Sequence, residues 1–279
     1  MKPIILPSRP LSYPDTVGIW TYAEDPTPYA EAINRILDGR RATAKANIDK
    51  RTGEFRGFKL RVHRPNRAVI WLLDEWIEEN RWKWNEIHVT LEFLFRTRRR
   101  AIDFEAWLLH HLVQPRRRAT IKVDGQWVPH RLGRCGTSSY GSRRRSRVTA
   151  FACYADHRSK MTGQKGCCRL ELRSRSARWL HPVMKAAGIY RLSDLTRLNY
   201  REFWRQWLQL REIDYAALPK SKCGFTYDPS ALMTRLLDAP FARAQVMTHA
   251  LSVLKIDPRS VMREIDNTPF LPQPTGGLQ

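Results

Sequence analysis

Tyr140 and Tyr154 stand either side of a run of arginines, Arg143, Arg144, Arg145 and Arg147. A tyrosine in such surroundings can attack a phosphodiester, forming a covalent phosphotyrosine that conserves the energy of the broken bond for rejoining. The step needs a base or cation to favour phenolate, and positive charge around the pentavalent transition state. A hard divalent ion held by carboxylates supplies both. Glu92 and Glu171, with His88, are the candidate ligands, because each falls on the polar side of an alternating strand pattern. Each residue alone has a plainer reading. A strand tyrosine packs, and a strand glutamate beside arginines forms a surface ion pair.

The charge balance narrows the partner. Lys and Arg number 49 against 27 Asp and Glu, a formal net charge of +22, and the sequence pI is near 10.4. Such an excess matches a polyanion, whose counterions are released on binding. Between Arg96 and Arg175, 20 basic residues face five acids, so most of the excess lies in under a third of the chain. Arg116, Arg117 and Arg118, the four arginines at 143–147, and Arg169 and Arg173 are the candidate phosphate contacts.

An anionic membrane would call for a basic amphipathic helix or a lipidation signal, and neither is seen. No apolar run nears the ~20 residues of a bilayer span. The proline-broken start is too short for a signal peptide. Five cysteines without a Cys-x-x-Cys pair read as reduced thiols of a cytosolic protein. Cys135, Cys153, Cys167 and Cys168 with His130 and His157 match no common zinc spacing. The 133–142 loop lacks the Gly-Lys-Ser/Thr ending of a phosphate-binding loop.

The order of motifs across 136–173 carries a resemblance. Gly136-Thr137-Ser138-Ser139-Tyr140-Gly141-Ser142-Arg143 is followed by Ser146, then Tyr154, Lys160 and the strand Arg169-Leu170-Glu171-Leu172-Arg173. This resembles the replication initiation factor family, the rolling-circle Rep proteins of plasmids and phages, over roughly residues 86–190. Members read Gly-Thr-x-x-Tyr-x-Gly-Ser-Arg-x-Ser, a strand ending Tyr-x-Lys, and an Arg-x-Glu strand. The resemblance implies a Rep-nickase-like domain that cleaves one strand of origin DNA with a tyrosine and a divalent metal, Mg²⁺ or Mn²⁺. It places the nucleophile at Tyr154, with Tyr140 second, the metal carboxylates at Glu171 and Glu92, and the lysine at Lys160. Asp156-His157 stands where that lysine is usual. Implied partners are origin DNA, as hairpin or single strand, and a host helicase and polymerase. A homodimer is compatible with it.

The elements that must hold these groups are legible in the periodicity. Phe58 to His63 alternates as a half-buried strand, and Asn66 starts a helix whose acidic outer face, Asp74, Glu75, Glu78 and Glu79, reads as solvated. Glu86 to Phe95 is the best strand in the sequence, with Ile87, Val89, Leu91, Phe93 and Phe95 on one side. A helix through Phe104, Trp107 and Leu108 follows, ended by Pro115. Short strands are expected at 119–123, 137–140, 148–155 and 168–173, with an Asp124-Gly125 turn. Helices are expected at 177–187, stopped by Gly188, and from Asn199, which pairs with Glu202 as a cap.

The expected fold is α+β, a largely antiparallel sheet with packed helices. Residues 1–57 read as a proline-rich and basic lead-in with a short helix from Pro28 to Leu37 and a loop over 40–57. Residues 58–214 read as the catalytic and DNA-binding domain, and 215–279 as a C-terminal helical appendage and tail. The leading function is an initiator that nicks origin DNA, leaving a 5′-phosphotyrosine and a free 3′-hydroxyl. The alternative is a non-catalytic basic DNA- or RNA-binding regulator. A structural nucleoprotein component is the third class, distinguished by binding without sequence preference.

Overall fold

The computed structural model describes residues 6–8, 10–22, 25–39, 41–49, 51–79, 82–113, 120–123, 138–141, 149–155, 157–174, 184–185, 187–217, 244, 248, 251 and 257–273, with backbone alone at 120–123, 138–141, 149–151 and 215. Eight strands form one sheet in the order β2-β3-β1-β4-β9-β8-β7-β6. They are β1 (Pro10–Thr21), β2 (Ala42–Ile48), β3 (Phe55–His63), β4 (Lys83–Leu94), β6 (Thr120–Val123), β7 (Ser138–Gly141), β8 (Thr149–Tyr154) and β9 (Cys167–Ser174). All their pairings are antiparallel. A small second sheet joins β5 (Leu112–Val113), β10 (Gln209–Ile213) and β11 (Met262–Glu264).

Helices α1 (Thr27–Ile36), α2 (Arg67–Glu78), α3 (Arg98–His111) and α4 (Tyr200–Trp207) bring apolar side chains to the core. Ile33, Val69, Leu73, Phe104, Leu108 and Trp204 join Ile19, Leu60, Ile87, Val89 and Leu91 of the sheet in one buried cluster. Three of these helices begin on a side-chain cap. Asn66, Thr97 and Asn199 accept the backbone N–H groups of Val69, Arg100 and Glu202 at 2.9, 3.3 and 3.1 Å. The α+β, antiparallel expectation therefore holds.

Three readings are corrected by the fold. The proline-rich start is no lead-in, because β1 lies inside the sheet between β3 and β4. Its prolines sit where a strand tolerates them. Pro10 opens the strand, and Pro14 precedes a register shift against β4 between Pro14 and Thr16. The basic stretch after residue 40 contains β2, an edge strand with exposed residues from Ala46 to Ile48. The outer face of α2 is not wholly solvated either, since Asp74 is buried and accepts the Leu192 N–H at 3.0 Å.

The C-terminal part also packs inward where it is described. β11 pairs with β10, and Phe270 sits 5.1 Å from the Trp107 ring and 5.7 Å from Phe104. Gly188 takes a positive φ of 73°, as a helix stop does. The Asp124-Gly125 turn, most of the 177–187 helix and most of the helical patterns at 230–255 lie outside the described residues. Among the described residues no helix is long and apolar enough to cross a membrane.

Candidate functional site

The face of the sheet opposite the core helices carries the polar side chains, and strand register arranges them in rows. One row runs Tyr154–Arg169–Glu92 across β8, β9 and β4. The next runs Ala152–Glu171–Thr90–Tyr13, and the next Arg173–His88–Thr16–His63. Alternation along β4 and β9 puts these residues together, as the sequence pattern requires.

Asp15 reaches this face through the irregularity in β1. From Pro14 to Thr16 the chain advances two residues while β4 advances one, so Asp15 is the extra residue of a bulge. Pro14, lacking an N–H, cannot continue the ladder there. The outcome is a buried cluster of Asp15, His88 and Glu171, whose ligand atoms all lie within 4.8 Å of one another. Asp15 was not among the sequence-derived candidates. The signal that could have found it is a proline-aspartate pair between two alternating runs, which also fits an ordinary turn.

Lys160 spans this cluster. Its Nζ donates to Asp15 Oδ1 and Oδ2 at 2.6 and 2.7 Å and lies 3.9 Å from Glu171 Oε1. The Tyr154 hydroxyl donates to Glu171 Oε1 and accepts from Arg169 at 3.3 Å. Arg173 holds the other oxygen, Glu171 Oε2, from its Nε at 2.8 Å. Burial, reinforced by the Glu171 charge and opposed by Arg169, pushes the Tyr154 phenol well above its ordinary value. Tyr154 therefore rests as a phenol whose proton already points at a carboxylate.

His88 is neutral for a similar reason. Burial lowers its pKa, although the bond from Nε2 to Glu86 Oε1 at 3.0 Å opposes that shift. With Nε2–H donated to Glu86, the tautomer leaves Nδ1 as the lone pair for a metal, the usual carboxylate–histidine arrangement. Burial raises Glu86, but hydrogen bonds from His88 and Lys59 outweigh it and hold the carboxyl well below the usual range. Arg61 adds a forked contact to Glu86 from Nε at 3.1 Å and Nη2 at 3.0 Å. Glu86 shares the alternating period of His88 and Glu92 and was legible in principle.

Glu92 does different work from the one its position suggested. Its Oε1 accepts from Tyr13 at 2.7 Å, from Arg169 Nε and Nη2 at 3.0 and 2.8 Å, and from the Lys160 N–H at 3.0 Å. Its Oε2 accepts from the Ser159 hydroxyl at 2.6 Å. A carboxylate so fully used fixes the 157–166 loop over the sheet, and Asp15 instead accompanies His88 and Glu171. Arg169 is correspondingly buried at 3% exposure, in the ion pair with Glu92 and over the Tyr154 ring at 5.2 Å. Sequence reasoning had placed Arg169 and Arg173 as DNA contacts, whereas both bind glutamates.

Tyr140 pairs in register with Phe151 and Ile121, and Phe151 with Leu172, so it belongs to the row alternate to that of Glu171. Arg116, Arg117, Arg118, Arg143, Arg144, Arg145 and Arg147 lie outside the described residues. Cys153 and Cys168 sit in the core with sulfurs 3.9 Å apart, and burial pushes the Cys167 thiol up to about 12. None of them joins the cluster of candidate ligands among the described residues.

The donor set suits a hard divalent cation. Two carboxylates and a neutral imidazole offer two hard oxygens and one nitrogen, and the Lys160 ammonium shows that positive charge is accommodated there. No family model matches the sequence, and no curated protein matches it. Among solved structures, one of a rolling circle replication initiator protein from Geobacillus stearothermophilus is similar. It is 12% identical with a TM-score of 0.42, covering 85% of this chain and 99% of that one.

Proposed function

We propose that this chain is a replication initiator that nicks one strand of DNA by tyrosine transesterification at Tyr154. The observation that carries the reading is the Tyr154 hydroxyl donating to Glu171, which also belongs to the buried Asp15–His88–Glu171 cluster. Glu171 accepts the phenol proton as the Tyr154 oxygen attacks phosphorus. The bond to the 3′-oxygen breaks, leaving a 5′-phosphotyrosine, and the departing oxygen takes a proton to become a 3′-hydroxyl. Arg169 and Arg173 orient the phenol and the carboxylate. A divalent ion, Mg²⁺ or Mn²⁺, held by Asp15, His88 and Glu171 would supply Lewis-acid stabilisation of the charged phosphoryl oxygens.

The partners of this reading are origin DNA, as hairpin or single strand, with a host helicase and polymerase acting on the exposed 3′-end. The arginines at 116–118 and 143–147 are its further phosphate contacts. The test is a supercoiled plasmid carrying the cognate origin, incubated with protein and Mg²⁺ or Mn²⁺. Relaxation with protein attached to the 5′-end is expected, and an adduct that persists in Tyr154→Phe would sink the assignment.

A second reading, a non-catalytic DNA- or RNA-binding regulator, is favoured by the burial of Tyr154 at 6% exposure. It predicts salt-sensitive binding with no adduct and no effect of chelators.

A further inference from the structure

The polar face of the sheet continues past the cation cluster toward the far end of β1, and its chemistry changes there. Two same-face rows beyond Thr16, the register aligns Lys45–Lys59–Trp20–Lys83 across β2, β3, β1 and β4. Between lies the row Thr43–Arg61–Gly18–Glu86. Glu86 is the one acid in these two rows, and Lys59 and Arg61 already pair with it. Lys45 and Lys83 are exposed.

Aromatic groups sit in this basic row. The Trp20 indole is fixed by its Nε1 donating to the Arg56 carbonyl at 2.9 Å. Gly57 makes room for it: at φ 90°, a Cβ there would fall 2.5 Å from the Thr21 oxygen and 3.0 Å from Trp20 Nε1. Tyr22, two residues on, stands edge-to-face against Trp20 with centroids 4.2 Å apart and is 65% exposed. A large ring projecting from a half-buried, hydrogen-bonded ring between lysines forms a platform with positive rims.

We infer that Tyr22 and Trp20, rimmed by Lys45 and Lys83, form a stacking subsite for single-stranded DNA leading to the Tyr154 centre. The inference rests on the DNA reading above. Charge decides the occupant. Aromatic faces accept any base, and flanking lysines track a phosphate backbone, the combination that sequence-tolerant single-strand binders use. An acidic peptide would meet the lysines but gain nothing from the edge-to-face ring pair. Position decides the role. At ~3.3 Å per residue, Trp20 lies about 13 Å along β1 from Thr16, beside the cluster, and Tyr22 follows just past the strand's end. A strand crossing this face is thus gripped a few nucleotides from the phosphate to be cut.

The experiment measures affinity by fluorescence anisotropy, using full-length protein and a labelled oligothymidylate of about eight nucleotides, within known site sizes. Chelator is present, so no cleavage intervenes. Tyr22→Leu should weaken binding on the order of ten-fold or more, and Tyr22→Phe, which keeps the π-face, should restore it. Lys45→Gln and Lys83→Gln should each lower the salt slope by about 0.7. Tyr22 is exposed, so the variants should keep the wild-type melting temperature. Equal affinity for wild type and Tyr22→Leu overturns the platform while leaving the nicking reading standing. Failure of the wild type to bind the oligonucleotide overturns both.

Discussion

Lys160 holds both oxygens of the buried Asp15 carboxylate, at 2.6 and 2.7 Å, with its ammonium 3.9 Å from Glu171. One positive charge thus bridges two members of the cluster that would ligate a divalent ion. The lysine and the ion then compete for the same oxygens. A pair whose lysine is one-third exposed is worth about 1 kcal/mol. Lys160→Met should therefore tighten Mn²⁺ binding by about five-fold, read by titration calorimetry on the folded chain. Weaker binding in the variant would show that the ammonium does not compete with the ion.

Tyr154 and Glu171 can be separated by chemistry, although they share a hydrogen bond. Tyr154→Phe removes the proposed nucleophile but leaves both carboxylates, so Mn²⁺ binding should persist while the DNA adduct disappears. Glu171→Gln removes a proton acceptor and a ligand together, so adduct formation and Mn²⁺ affinity should fall in step. Denaturant midpoints of both variants check folding. Tyr154→Phe should be destabilised by about 1 kcal/mol, since Glu171 keeps Arg173 but loses one buried bond. Loss of metal binding in Tyr154→Phe would contradict this division of roles.

The Glu92–Arg169 pair is a structural test of the same face. Both partners are nearly inaccessible, and their 2.8 Å contact joins β4 to β9 beneath the loop carrying Ser159 and Lys160. Removing the cation alone strands a buried carboxylate, so Arg169→Met should cost about 3–5 kcal/mol. The double variant Glu92→Gln/Arg169→Met, which removes the stranded charge but keeps an acceptor for Tyr13 and the Lys160 N–H, should recover part of that loss in urea unfolding. If the single variant melts like wild type, the pair does not hold the loop.

Register explains which parts of this site the sequence could reveal. β4 and β9 announce themselves through strict alternation, and that same alternation places His88, Glu92, Arg169 and Glu171 on one face. Alternation could not say that this face would be closed. The 157–166 loop buries it, so both faces of β4 read as buried, and Glu92 became an anchor for that loop. Asp15 was hidden because four prolines before it suggested an extended tail, while a bulge is invisible until its partner strand is known. The arginine runs carry sequence information about charge alone, and a residue such as Arg169 shows that strand arginines also serve glutamates.

His111 offers a pH test that leaves the site untouched. It ends α3, its Nδ1 lies 3.0 Å from the Arg211 carbonyl, and its ring lies tilted against Trp107 with centroids 4.9 Å apart. Burial lowers its pKa, against smaller opposing effects from Arg211 and Glu212. Burial likewise lowers His63 and His88. A histidine whose folded value lies below its unfolded value of about 6.5 binds protons more readily in the unfolded chain. Stability from it is complete above that value and is lost as pH falls through the folded value. Urea midpoints should therefore decline as pH drops from about 7 toward 5, and His111→Gln should flatten that decline without altering Mn²⁺ affinity. Because His111 links α3 to β10 rather than to the cluster, a flattened profile with unchanged metal binding isolates its contribution from that of His88. An unchanged slope in the variant would mean that His111 titrates alike in both states, and that the acid sensitivity resides in the polar face of the sheet.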